Sequence, residues 1–198
     1  MTMRRNQYSR WLLTATMALG ALATTTQAQQ GPMDFMQVMQ QMMAGGTNKT
    51  VNFRTLKELL PETVAGLKRT SIEGEKSSAM GVTIAFAEAD YEGSDRARVT
   101  AKITDLSAMG QVMLMAQLAW TQSEIDRESD EEYQRTTTLQ GFKAMERYNQ
   151  RNSEGEIQVF VDERFAVEVR GRNVGADTLK AALEGIDLQA LADIKPEE

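Results

Sequence analysis

Five methionines between residues 33 and 43 carry the most distinctive chemistry in this chain. Met33, Met36 and Met39 follow an M-x-x-M-x-x-M spacing, and Met42 and Met43 extend it. Thioethers are soft ligands suited to Cu(I), so an exported copper-handling protein can dispense with cysteine and histidine. On a helix, positions three and four apart lie on one side. Met33, Met36, Met39 and Met43 are therefore the candidate Cu(I) ligands. The same spacing also builds a pliable apolar surface for docking on a partner or on the chain's own body. That second reading is preferred, because softness alone does not define a metal site.

Two further clusters could act chemically. Glu124, Asp126, Glu128, Asp130, Glu131 and Glu132 form an acidic run, and Ca²⁺ takes six to eight oxygens. The run lacks the glycine that an EF-hand turn needs, and Arg127 interrupts it, so a solvated loop is expected. Arg96, Arg98 and Lys102 alternate along one predicted strand and form a candidate anion or ligand face. Glu146, Glu168 and Arg170 on neighbouring strands would convert that face into a cross-strand salt-bridge lattice. Hydroxyl runs at Ser77-Ser78 and Thr136-Thr137-Thr138 have no activating base nearby in the sequence.

The missing residue types narrow the chemistry further. The 198 residues include no Cys and no His. This removes disulfides, thiolate metal sites, thiol nucleophiles and the commonest general base. No G-x-S-x-G, Walker A or G-x-G-x-x-G motif occurs. A pair of carboxylates remains the one route to catalysis, since their separation is a spatial property.

Residues 1–28 have the composition of a secretory leader. Arg4, Arg5 and Arg10 precede an apolar run over residues 11–23, which is short for a bilayer span. Thr26-Gln27-Ala28 offers small residues for cleavage after Ala28. Three of the 22 basic residues and none of the 28 acidic ones lie in this leader, so cleavage moves the formal charge from −6 to −9. Such a charge opposes binding to nucleic acid or to anionic lipid. The expected location is periplasmic or secreted, with no stable membrane insertion once the leader is removed.

These candidate residues need a scaffold to position them. Residues 29–50 read as a Met-rich amphipathic helix between two linkers, residues 51–194 as a single domain, and residues 195–198 as a loose tail. Within the domain, helical spacing over residues 54–60 ends at Pro61. Strand patterns follow over residues 67–72, 82–91 and 96–104, with a hairpin turn at residues 92–95. Residues 107–121 are apolar nearly all round, which predicts an enclosed central helix. Past an acidic loop, strands are expected over residues 132–139, 141–149, 157–161 and 165–170. A final helix should be capped by Asp177. The fold class expected is α+β, a mainly antiparallel sheet of six to seven strands sandwiched with a central apolar helix and a C-terminal helix.

Gly141-Phe142-Lys143-Ala144, then Tyr148, then Ile157-Gln158-Val159-Phe160-Val161 and Phe165-Ala166-Val167 ahead of a helix, resembles the pattern of the Mog1/PsbP/DcrB-like α/β fold. The resemblance covers about 50 residues and implies an envelope or photosystem-associated binding or accessory role, mostly without enzymatic activity; no cofactor is expected. It carries no functional residue set. The sequence therefore favours an exported, non-catalytic binding protein whose partner is an envelope protein or a small apolar ligand. A Met-rich Cu(I) protein and a carboxylate-dependent enzyme are the alternatives.

Overall fold

Alternation of small or branched apolar residues with polar ones drives most of this chain into strands, because the two sets then fall on opposite faces of a pleated sheet. The computed structural model describes residues 50–79 and 82–195. The leader, the Met-rich segment with Met33, Met36, Met39 and Met43, and most of the tail lie outside the described residues.

Helix α1 (Phe53–Glu58) opens on Asn52, whose side chain accepts from the Arg54 amide at 3.0 Å. Four strands follow: β1 (Thr63–Val64), β2 (Leu67–Ala79), β3 (Val82–Glu92) and β4 (Arg98–Asp105). Helix α2 (Gly110–Gln122) leads to β5 (Asp126–Glu128), β6 (Glu132–Leu139), β7 (Phe142–Asn149), β8 (Glu154–Val161) and β9 (Phe165–Arg172). Helices α3 (Ala176–Glu184) and α4 (Leu188–Ala192) close the chain.

All nine strands belong to one antiparallel sheet of order β1-β2-β3-β4-β9-β8-β7-β6-β5. It is two meanders, β1 to β4 and β5 to β9, joined along β4 and β9. The α+β sandwich of six to seven strands is therefore replaced by a nine-stranded sheet that dominates the molecule. Brevity hides two strands in the sequence, the two-residue β1 and β5, and polarity hides the second half of β2, expected only to residue 72. β5 is three exposed residues inside the acidic loop. β2 runs on to Ala79 through Glu73, Glu75 and Lys76, whose polar sequence reads as loop but pairs residue by residue with β3.

One face of the sheet packs on α1, α3 and α4. Ala85, Ala87, Ala89 and Tyr91 of β3, Val99, Ala101 and Ile103 of β4, and Ile157, Val159 and Val161 of β8 are all buried there. Leu179 and Leu183 of α3 and Leu188 and Leu191 of α4 complete the core, each contributing about 1.5–3 kcal/mol by leaving water. Gly155 and Gly171 lie beneath α3. A Cβ at Gly155 would come within 2.8 Å of the Leu179 side chain, so these glycines let the helix sit close to the sheet. The expected cap differs: α3 begins after Gly175, and Asp177 lies in its first turn without capping it.

The apolar helix α2 is not central. It carries the chain from the end of β4 past β9, β8, β7 and β6 to β5. Five strand spacings make that crossing about 24 Å wide, and thirteen helical residues supply about 20 Å of it. Trp120 meets Phe160 of β8 edge to face at 5.2 Å. Lys143 of β7 donates to the Ser123 carbonyl, and the Ile125 amide donates to Thr136 of β6. Since Phe160 and Lys143 point away from the helical core, α2 crosses the opposite face. Its far side is left outward, with Met115 66% and Leu118 47% exposed. The absence of charge on this helix was read as enclosure; the structure shows a one-sided crossover instead.

Candidate site: a charged trough on the open sheet face

The side chains that alternate with the core residues form a second, open face, and register fixes how they meet. One row reads Ser71, Asp90, Thr100, Arg170, Glu156 and Arg147 across β2, β3, β4, β9, β8 and β7. The next reads Lys68, Glu92, Arg98, Arg172, Glu154 and Asn149. Sheet twist turns these rows into a trough of about 810 Å³. Arg98, Arg147, Arg170 and Arg172 line it together with Glu88, Asp90, Glu92, Glu132, Glu154 and Glu156. Towards the other end of this face, beneath the crossover, the row becomes Phe86, Thr104, Ala166 and Phe160. The face thus grades from apolar to ionic along the strands.

Most trough cations have a carboxylate beside them. Arg98 pairs with Glu92 at 3.1 Å, Arg170 with Glu156 at 3.3 Å and with Glu168, and Arg147 with Glu132 at 3.5 Å. Asp90 accepts from Ser71 at 2.8 Å and Thr100 at 2.7 Å. Alternation breaks at two directly opposed pairs, Glu73 with Glu88 across β2 and β3 and the central pair of cations. Arg98 and Arg172 stand directly opposite each other on β4 and β9, where like charges repel. Their side chains are 67% and 79% exposed, and the Glu154 contact of Arg172 is a loose 4.0 Å. Both guanidinium groups line the trough, and their planar form suits carboxylate or phosphate.

The residues singled out in the sequence separate accordingly. Arg98 and Lys102 lie on the open face, and Lys102 pairs with Glu88 at 3.0 Å while resting over the Phe86 ring. Arg96 does not join them. It ends a 3-10 turn (Ser94–Arg96) with φ +61°, ahead of the strand that begins at Arg98. Glu168 is the β9 neighbour of Lys102. Burial lifts its carboxyl above the usual carboxylate range, as does the charge of Glu156, with Arg170 and Lys102 opposing both. Arg147 and Arg172 carry no sequence signal that joins them to Arg98, because only the β4–β9 and β7–β8 registers bring them there; Arg170, expected as a neighbouring-strand partner of this face, stands between Thr100 and Glu156.

Glu146 faces the other way, onto the helical side, because the β7 register places it opposite Ile157. It is 1% exposed yet fully held. Tyr133 donates to it at 2.5 Å, Arg135 at 3.0 Å, and Lys180 of α3 lies at 3.4 Å. Burial pushes its pKa up, but the Tyr133 and Arg135 hydrogen bonds and the Lys180 charge outweigh this and hold it below the ordinary value. Tyr133 is pushed well above the ordinary phenol range, first by burial and then by the hydrogen bond to Glu146. Such a saturated clamp pins α3 to β7 and leaves no lone pair aimed at a ligand.

In the acidic run, Glu131 pairs with Arg151 at 2.7 Å and Asp126–Glu128 forms the edge strand β5. Among the described residues, no three His, Cys, Asp or Glu side chains converge to hold a metal ion. No described helix is long and apolar enough to cross a membrane. No protein-family model matches this chain, and neither a curated protein nor a solved structure is similar to it.

Proposed function

We propose that the chain is an exported, non-catalytic binding protein that receives, in the trough of its open face, a polypeptide bearing both charge signs, with one of its carboxylates between Arg98 and Arg172. The observation that carries this reading is the directly opposed pair Arg98 and Arg172. A structural lattice gains nothing from placing like charges opposite each other, whereas a carboxylate or phosphate between them relieves the repulsion and satisfies both forks. The surrounding glutamates give the trough mixed charge, which suits a polypeptide bearing both signs and argues against the apolar ligand considered from the sequence. Export rests on the leader composition of residues 1–28. The Cu(I) alternative rests on residues outside those described and has no support from the trough.

Titration of the isotope-labelled protein with a short peptide of alternating Glu and Lys at low salt tests the proposal. Amide shifts should centre on Arg98, Arg172 and their strand neighbours. Raising the salt should weaken binding, since exposed charges are screened. The Arg98→Ala and Arg172→Ala double variant should lose at least about tenfold in affinity, two lost charge-assisted contacts being ample for that. Folding should be unaffected, because both side chains are exposed. Shifts centred elsewhere, or binding indifferent to the double variant, would remove the proposal.

A further inference from the structure

The crossover helix α2 presents an uncharged surface outward, and the structure places the start of the described chain at its root. Thr50 is fully buried. The Val51 amide donates to Asp105 Oδ2 at 2.7 Å, while the other oxygen of that carboxylate accepts from Ser107 at 2.9 Å. One side chain therefore ties the incoming strand of chain to the turn that opens α2. We infer that the Met-rich segment, residues 33–43, docks along the outward face of α2 as an antiparallel helix and covers Met115 and Leu118.

Reach and direction both fit. Six residues, 44–49, separate the segment from Thr50, and extended chain covers at most about 20 Å over that length. Part of that length rounds the end of the sheet, because Val51 and Asp105 belong to the core side and α2 to the open face; the segment, about 16 Å long as a helix, then lies against the first part of α2, which is about 20 Å long. The segment runs towards Thr50, at the end of the crossover where α2 begins, and α2 runs away from it. The two helices are antiparallel by connectivity, as in an αα-hairpin.

The surfaces match in chemistry. No residue of α2 is charged, and Met115, Ala116, Leu118 and Ala119 are exposed on it. The segment carries one charge, Asp34, among Met33, Phe35, Met36, Val38, Met39, Met42 and Met43. Small alanines admit close approach of a second helix, and methionines adapt to an irregular neighbour.

The test is hydrogen exchange on the chain from Gln29 to Glu198, with disulfide trapping as a second readout. Amides of residues 36–43 should exchange at least about tenfold more slowly than in a free peptide of the same sequence. The protection should disappear in Met115→Asp, a substitution at an exposed position that leaves the sheet intact. The chain has no cysteine of its own, so Met39→Cys with Met115→Cys should oxidise to a monomeric cross-link at a rate independent of protein concentration. Met39→Cys with Glu184→Cys, on the far side of the sheet, should not. Free-peptide exchange rates, a cross-link formed only between chains, or protection that appears only with anionic vesicles would each overturn the inference. The last two outcomes would assign the face to a second copy or to a membrane surface.

Discussion

Asp105 and Glu146 are the buried carboxylates of the described residues, and both act by holding other groups rather than by awaiting a ligand. Asp105 receives two backbone amides and the Arg164 guanidinium at 2.9 Å, and Arg164 donates onward to the Ile194 carbonyl. Glu146 has the larger consequence for pH. Its folded pKa is lowered, so its contribution is complete above the ordinary carboxylate value near 4.3 and is lost as pH falls through the folded value. Glu168 has the opposite sign: its raised pKa costs stability at neutral pH, and protonation relieves that cost. Chemical denaturation at pH 7 should therefore find Glu146→Gln destabilised by about 3 kcal/mol, as for a broken buried ion pair, and Glu168→Gln unchanged or slightly stabilised. Below about pH 4.5 the Glu146→Gln difference should shrink; a constant difference down to pH 2.5 would show that the clamp is not electrostatic. The sequence did bring Glu146 and Glu168 to notice together, as neighbours of the basic strand. Only register separates them onto opposite faces, and a one-residue slip reverses such an assignment.

At the scale of elements, legibility tracked how far local pattern and burial agreed. β4, β8 and β9 alternate cleanly and were readable, and the hairpin between β8 and β9 follows from Asp162 and Glu163, both at positive φ. β2 was curtailed because residues 73–78 contain no apolar run, and its pairing with β3 is a property of the partner strand. α2 was recognised as a helix and misplaced, since lack of charge describes what a surface needs without saying what covers it. The packing of α3 on the sheet depends on glycine for a reason no single sequence reveals. A Cβ at Gly155 would lie 2.6 Å from the Tyr148 ring and 2.8 Å from the Arg147 carbonyl as well as against Leu179. Backbone cannot yield there, so α3 must lift. Gly155→Ala should cost about 1–3 kcal/mol through overpacking, measured by thermal unfolding. Leu179→Ala in the same chain should recover part of the loss, whereas additive losses would show that α3 is not the element displaced.

Across the whole molecule, one seam decides whether the fold exists: β4 with β9 joins two meanders whose remaining neighbours are all consecutive in sequence. Arg98 pairs with Arg172 across that seam, and pairing so distant in sequence forms late and slowly. Among the described residues, the elements that close the core lie on one side of the sheet, in α1, α3 and α4, after Thr50. Residues 29–48 precede all of them in the chain. Removing them from a chain that begins at Gln29 should leave the melting temperature within about 5 °C, the shift expected for a loss near 1 kcal/mol in a domain of this size. It should also raise the binding of a hydrophobic dye, since the face of α2 is opened. The peptide titration of the trough should be unaltered, because α2 and the Arg98–Arg172 pair occupy opposite ends of the open face. If the truncated chain fails to fold, the segment is part of the core and the body cannot begin at Thr50. If it folds but the trough no longer binds, the two ends of the sheet are coupled, and the charged rows would then have to shift when α2 is uncovered.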